Sequence, residues 1–404
     1  MTISALSTKI QVCYPQALTK LLYRFNDIVL AEDLLHEAIV KALSHWQENM
    51  PDNGVAWLVR VALNHFIDQT RRNNRFINCF TEIEPSYDVD LTEQALLDSY
   101  KDDLLRLIFT CCHPALNLKT QLVLTLKHVL GLSIVEISNA LVQKEKTIEQ
   151  RLTRAKVKIS KANIPYQIPE IDEWPKRTDA VLQVIYLYFN EGYFTSCDNQ
   201  LVNRRVCKNA IRLARILHSC IRENPEIMGL LALLLHQNAR LSARVDHKQN
   251  LVLLEQQNRD LWYRPDINEA NILVEKSLKI GGGTPYAIQA AIAALHNNAI
   301  SFEQTDWQQM YGLYLKLLKL NDSPVIQLNA EVVRAKFTNN FEAIDRIEKL
   351  AETLKGYRHL YTTLAALHLK ESNFASARFY YLNALKFTQN STEKRFISEQ
   401  LRQC

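Results

Sequence analysis

Between Lys144 and Lys161 the chain carries seven basic residues, at 144, 146, 151, 154, 156, 158 and 161, against Glu145 and Glu149. Ile148, Leu152, Ala155 and Ile159 recur at helical spacing in the same stretch, which leaves the polar and cationic residues on the other faces. Clustered on a helix, side chains of these types can exchange hydrogen bonds with base edges and neutralise phosphates. Thr147, Glu149, Gln150 and Arg151 lie near the start of the helix, where base edges are reached when a helix enters a DNA major groove. Arg154, Lys156, Lys158 and Lys161 lie further along and suit phosphates, which add affinity without sequence information. A solvated charged face would use the same residue types, so the argument for DNA rests on what precedes the helix.

Leu122, Val123, Leu126, Val129 and Leu130 form one apolar helical face, and Gly131 ends that helix. Ser133-Ile134-Val135-Glu136 has the spacing of a capping box, in which a serine oxygen and a glutamate satisfy free backbone N–H groups reciprocally. The short helix that starts there buries Ile134, Ile137, Ala140 and Leu141, and a turn at 142–144 leads into the basic helix. A short helix, a three-residue turn and a helix exposing polar groups at its start make a helix-turn-helix over residues 120–161.

Residues 56–72, AWLVRVALNHFIDQTRR, form a further helix that exposes Arg60, Asn64, Arg71 and Arg72, with Arg75 just beyond. Aromatic residues interleaved with cations stack on unpaired bases and follow a strand. Trp57 and Phe66 fit a core equally well, and for each alone the core is favoured. With the basic helix, this segment points to contacts at two DNA sites.

Other motifs carry less. Adjacent Cys111 and Cys112 point about 100° apart on a helix and no second Cys/His pair follows at zinc-finger spacing, so they read as structural. Gly281-Gly282-Gly283-Thr284 lacks the Gly-Lys-Ser/Thr of a phosphate loop and reads as a turn between helices. Asn190-Glu191-Gly192-Tyr193 reads as a helix end with a contact role left open. No nucleophile set or pair of catalytic carboxylates appears at a recognisable spacing, so the reading is a protein without enzymatic activity, metal or cofactor.

The positioning elements are helices. Gly and Pro number only 9 and 11 in 404 residues, and the abundant Leu, Ala, Lys, Glu and Gln favour helix, which predicts an all-α fold. A net charge of +5 carries no whole-molecule argument for nucleic acid; only local clustering does. Eight scattered cysteines, an N-terminus without a signal-peptide apolar run, and apolar stretches too short to span a bilayer point to a soluble cytoplasmic protein without membrane partners.

Residues 1–76 hold three helical patterns, Pro15–Phe25, Ala31–Trp46 and Val55–Arg72. An acidic linker occupies 77–100, the helix-turn-helix block 101–162, and a linker with Pro165, Pro169 and Pro175 spans 163–175. From 176 to 404 helices alternate with short turns. Asn340-Phe341 and Asn373-Phe374 open similar helices 33 residues apart, each preceded by another (about 325–337 and 357–370), as in a tetratricopeptide-like array. In the second copy Ala377 and Ala384 are expected to pack around Phe374, Tyr380 and Tyr381.

These segments resemble an extracytoplasmic-function (ECF) sigma factor of the sigma-70 family. AEDLLHEAIVKAL (31–43) is similar to the polymerase-binding helix of sigma domain 2, residues 56–72 to the helix that melts the −10 element, and residues 102–159 to domain 4, which reads the −35 element. VIYLYFNEGY (184–193), MGLLALLLHQNAR (228–240) and GGTPYAIQAAIAALH (282–296) are similar to an ECF subgroup with a C-terminal tetratricopeptide-like extension. The resemblance implies that Asp33, Glu37 and Lys41 meet core RNA polymerase. It places Trp57, Arg60, Asn64, Asp68, Arg71 and Arg72 at the −10 strand, and Thr147, Gln150, Arg151 and Arg154 at the −35 duplex, beside which Glu149 and Lys158 stand on the same helix.

The partners implied are core RNA polymerase and promoter DNA. The extension would act on the sigma domains in cis, with no dedicated anti-sigma factor. His36 and Ile39 stand where the family usually has Gln and Phe. Lys144 and Lys146 stand where it commonly has Pro and Ala, so no promoter sequence is carried over. The alternative reading is a ligand- or peptide-sensing helix-turn-helix regulator, which would have no use for the domain 2-like block.

Overall fold

The computed structural model describes residues 3–25, 27–73, 104–162, 169, 171–196 and 200–404. The acidic linker at 77–100, Arg75 and most of the 163–175 linker lie outside the described residues, as do the side chains of Arg71, Arg72 and Lys161. Among the described residues the secondary structure is helical, with no strand and one isolated bridge, Val245 to Leu251. The chain divides into two compact units, Met1–Val184 and Ile185–Cys404.

In the first unit, α1 (Ile3–Phe25), α2 (Ile28–Glu48) and α3 (Gly54–Asn73) pack around Leu18, Leu21, Leu35, Ala38, Trp46, Leu58 and Ala62, all buried. The Asn53 side chain accepts from the Ala56 N–H at 2.9 Å and fixes the start of α3. The helical pattern in the sequence begins at Pro15. The helix instead begins twelve residues earlier and runs through Pro15. Leu6 and Ile10 extend its buried stripe, and that burial outweighs the hydrogen bond a proline omits.

Helix α4 (104–111) buries Leu105, Ile108 and Phe109. Asn117 caps α5 (Leu118–Leu124), accepting from the Thr120 N–H at 2.9 Å, and the helix widens into a π turn over Thr125–Val129. Gly131, at φ +74°, ends it in the left-handed region where a Cβ is disfavoured. The capping box at α6 (Ile134–Leu141) is formed in both directions: the Glu136 N–H donates to Ser133 Oγ at 3.2 Å, and the Ser133 N–H to Glu136 Oε2 at 2.6 Å. Val142, left-handed at φ 51°, then turns the chain into α7 (Glu145–Ala162). Past the linker, the 3₁₀ turn Ile171–Lys176 returns to this unit. Trp174 stacks on Phe109 with centroids 4.2 Å apart, and Arg177 Nη1 donates to the Phe109 carbonyl at 3.0 Å.

The unit boundary falls inside α8 (Thr178–Tyr193). Then come α9 (Arg204–Cys220), α10 (Pro225–Ala239), α11 (Arg264–Gly281), α12 (Pro285–Asn298) and α13 (Trp307–Leu320). The last five are α14 (Pro324–Arg334), α15 (Asn340–Glu348), α16 (Arg358–Lys370), α17 (Phe374–Phe387) and α18 (Ser391–Leu401). Prolines in the first turns of α10, α11, α12 and α14, and side-chain caps from Asn203, Asn224, Asp306, Asn339, Asn373 and Asn390, set most of the starts.

The paired helices at the 33-residue interval are α14–α15 and α16–α17, packed around Leu328, Ile344, Ile347, Leu360 and Leu364. Ala377, Tyr381 and Ala384 are buried as expected, but Phe374 is 49% exposed and Phe341 63%. Each Phe sits in the first turn of its helix, before the buried stripe begins. Gly282 (φ +64°) and Gly283 (φ +106°) make the α11–α12 turn, as the sequence predicts.

Candidate nucleic-acid interface

Ile148, Leu152, Ala155 and Ile159 bury one face of α7. Thr147, Gln150, Arg151, Arg154 and Lys158, on the flank beside that face, line with Ala155 a cleft of about 220 Å³ whose other wall holds Asn117 and Thr120 of the α5 region. Five of the six residues expected at the −35 duplex are therefore brought together; Glu149 is exposed but not part of the cleft lining. Arg151 is half-buried. Its Nη2 reaches Gln143 Oε1 only at 3.5 Å, and its Nε is buried without a partner, so its hydrogen-bonding capacity is largely unspent. Lys158 Nζ donates to the Ala115 carbonyl at 2.5 Å, which ties the middle of α7 to the loop before α5.

Lys156 departs from its expected place among the phosphates. Its Nζ donates to Glu32 Oε2 at 2.9 Å, across 124 residues of sequence, and His128 Nδ1 lies 2.8 Å from the other Glu32 oxygen. Glu32 and His128 are both almost fully buried. Helix α2 thus grips α7 and the π turn at once. Burial alone would raise the Glu32 pKa. The hydrogen bonds and charges of His128 and then Lys156 outweigh it and hold the carboxyl at about 2, against an ordinary 4.5. Tyr14 hydrogen-bonds the same carboxylate; burial and that neighbouring charge push its phenol up.

A carboxyl whose folded pKa lies below its unfolded one contributes stability above about pH 4.5, and that stability is lost as pH falls toward 2. Glu32→Gln is expected to destabilise the protein at pH 7 by on the order of 3 kcal/mol and to remove this part of the acid sensitivity. Urea midpoints of both proteins at pH 7 and pH 3 measure it. Equal midpoints at pH 7 would show that the carboxylate contributes nothing.

On α2, Asp33, Glu37 and Lys41 are exposed and four residues apart, so they form one stripe. On α3, Arg60, Asn64 and Asp68 form a second exposed stripe at the same spacing. Trp57 is half-buried between His45, stacked at 5.6 Å, and the edge of Trp46 at 5.5 Å. Phe66 packs on Phe25 at 4.7 Å, so both aromatics take part in the bundle.

Cys111 and Cys112 are buried, and burial pushes both thiols up, Cys112 to about 12. Thiols so far from ionising are inert at neutral pH. The Asn190–Tyr193 motif ends α8. Glu191 accepts from the Ser196 N–H at 2.7 Å and Oγ at 2.5 Å, and Arg244 lies 3.6 Å from the Tyr193 ring centroid and donates to its carbonyl at 2.6 Å. Every part of that motif is used in local packing. Glu32 and His128 were missed by sequence reasoning, since nothing in either local sequence marks a contact between distant helices.

Residues 10–76 match the model for Sigma-70 region 2, residues 106–159 that for Sigma-70, region 4, and residues 177–278 a family of unknown function, DUF6596. An uncharacterized protein, R00370, from Rhizobium meliloti (strain 1021) is 39% identical over 393 residues, covering 96% of this chain and 93% of that one. The crystal structure of yeast Tom70 aligns with 99% of this chain and 84% of its own, at 13% identity and a TM-score of 0.37. No helix among the described residues is long and apolar enough to cross a membrane.

Proposed function

We propose that this chain, which belongs to the sigma-70 family as an ECF-type sigma factor with a C-terminal helical extension, binds core RNA polymerase and carries it to promoters under control of its own extension. Promoter recognition is the family's function. The observation that carries the finer reading is the cleft on α7, where Thr147, Gln150, Arg151, Arg154 and Lys158 converge beside Asn117. The head of the helix supplies donors and acceptors for the −35 duplex, and Arg154 and Lys158 supply cations for its backbone. The exposed stripe Arg60, Asn64 and Asp68, with Arg71 and Arg72 further along α3, takes the −10 strand. Asp33, Glu37 and Lys41 meet the polymerase. The protein works in the cytoplasm, needs no catalytic residue of its own, and has no dedicated anti-sigma factor.

The test is reconstitution: core polymerase free of other sigma factors, the full chain and a library of promoter templates. Transcripts from defined start sites are expected only when the chain is added. Tight binding to an operator-like site without polymerase, and no transcripts with it, would reject this reading for an ordinary repressor or activator. Ending the chain after Val184, which keeps the Trp174 and Arg177 contacts to Phe109, is expected to change transcript yield severalfold, because the extension is removed. Identical yields from the truncated and full-length chains would remove control in cis.

A further inference from the structure

In the second unit, α14, α16 and α18 and the segment 251–253 enclose a cavity of about 330 Å³. Leu251, Leu253, Val332 and Phe396 give it a largely apolar wall. That size and lining fit a small molecule rather than a folded partner. Two lysines stand at the cavity, Lys336 just past the end of α14 and Lys370 at the end of α16.

Lys336 is half-buried, its ammonium 4.8 Å from the Phe302 ring centroid and 5.6 Å from that of Trp307. Burial, followed by the charge of the adjacent Lys370, holds Lys336 below the usual lysine range. Among the described residues no carboxylate lies within 4.0 Å of either ammonium. The one acid in the cavity wall, Glu393, is occupied by Arg358, whose Nε lies 3.0 Å from its Oε2. Two like charges are held together beside an apolar space, Glu393 is occupied by Arg358, and Glu255, the other acid that acts on Lys336, forms no ion pair with it; the site is left short of an anion.

We propose that this cavity binds a small apolar molecule bearing a carboxylate, its tail against Val332 and Phe396 and its carboxylate between Lys336 and Lys370. The lysines select a negative head group, and the cavity selects a chain of roughly ten carbons. This assignment does not depend on promoter recognition, because binding can be measured without polymerase or DNA.

The experiment is calorimetric titration of the full-length protein with decanoate, decanol and decylamine, below the concentration at which each forms micelles. Decanoate is expected to bind at one site, at least tenfold tighter than decanol, and decylamine not at all. Lys370→Gln, an exposed position, should weaken decanoate severalfold, and Lys336→Gln with Lys370→Gln at least tenfold, with decanol unchanged. Circular dichroism confirms that each variant is folded, and the single variant decides the matter if the double one is not. No decanoate binding, equal binding of decanoate and decanol, or unchanged binding in Lys370→Gln would each overturn the assignment. So would saturation of the cavity by an acidic peptide copying residues 81–103 while decanoate fails to bind.

Discussion

Replacing Gln150 and Arg151 together by Ala is expected to lower transcription from a cognate promoter about thirtyfold or more. Both side chains line the α7 cleft near the start of the helix, where base edges come within reach. A lost base contact costs about 1–3 kcal/mol, and two such losses combine unless the remaining contacts rearrange. The fold has little to lose, since Gln150 is exposed and the Arg151–Gln143 bond is long at 3.5 Å. Arg154→Ala should behave differently. As a phosphate contact it would weaken all templates alike and reduce the salt slope by about one, leaving start-site choice intact. Run-off transcription across a promoter library separates the two. Unchanged yield and unchanged template preference in the Gln150/Arg151 variant would remove α7 from the −35 element.

Gly229→Val is expected to be the most damaging single change in the extension. Gly229 lies mid-helix in α10, buried where α12 crosses it. A Cβ there would stand 2.5 Å from the Ala287 nitrogen and 2.8 Å from the Tyr286 carbonyl carbon. These are backbone atoms, so no side chain can swing aside and the helices must separate. The cost should reach or exceed the upper end of the roughly 1–3 kcal/mol typical of overpacking. For a unit of this size that lowers Tm by about 6–12 °C. Gly312→Ala is the control. A Cβ at that exposed helical position meets nothing within 4 Å, so a gain of about 0.5–1 kcal/mol is expected. Scanning calorimetry checks both. Melting of Gly229→Val together with the parent would show that α10 and α12 do not meet backbone to backbone at this position.

What the sequence made legible was local. Ser133 and Glu136 are three residues apart and need only each other, so the capping box could be read directly and is formed. The Gly282–Gly283 turn and the paired helices after Pro324 follow from backbone preference and short-range spacing in the same way. The pattern that begins at Pro15 stops short of the start of α1, because Leu6 and Ile10 extend the buried stripe beyond it. Phe374 departs from the packing expected of it because it stands in the first turn of α17, before the buried stripe begins. The contacts that could not be read join distant elements. Glu32 reaches Lys156, Gly229 admits α12, and Asn390 donates to the Thr195 carbonyl at 3.0 Å across 195 residues. Each depends on which helices meet, and that follows from the summed burial of whole faces rather than from any pair of residues.

The grip of α2 on α7 has an electrolyte consequence. Glu32 serves Lys156 as a built-in counterion. In this arrangement one cation of the recognition helix enters the encounter with DNA already neutralised. It displaces no condensed sodium or potassium, which takes about 0.9 from the slope of log affinity against log salt. A partner that draws α2 away restores that unit of salt dependence and exposes the Glu32 carboxylate in the same motion.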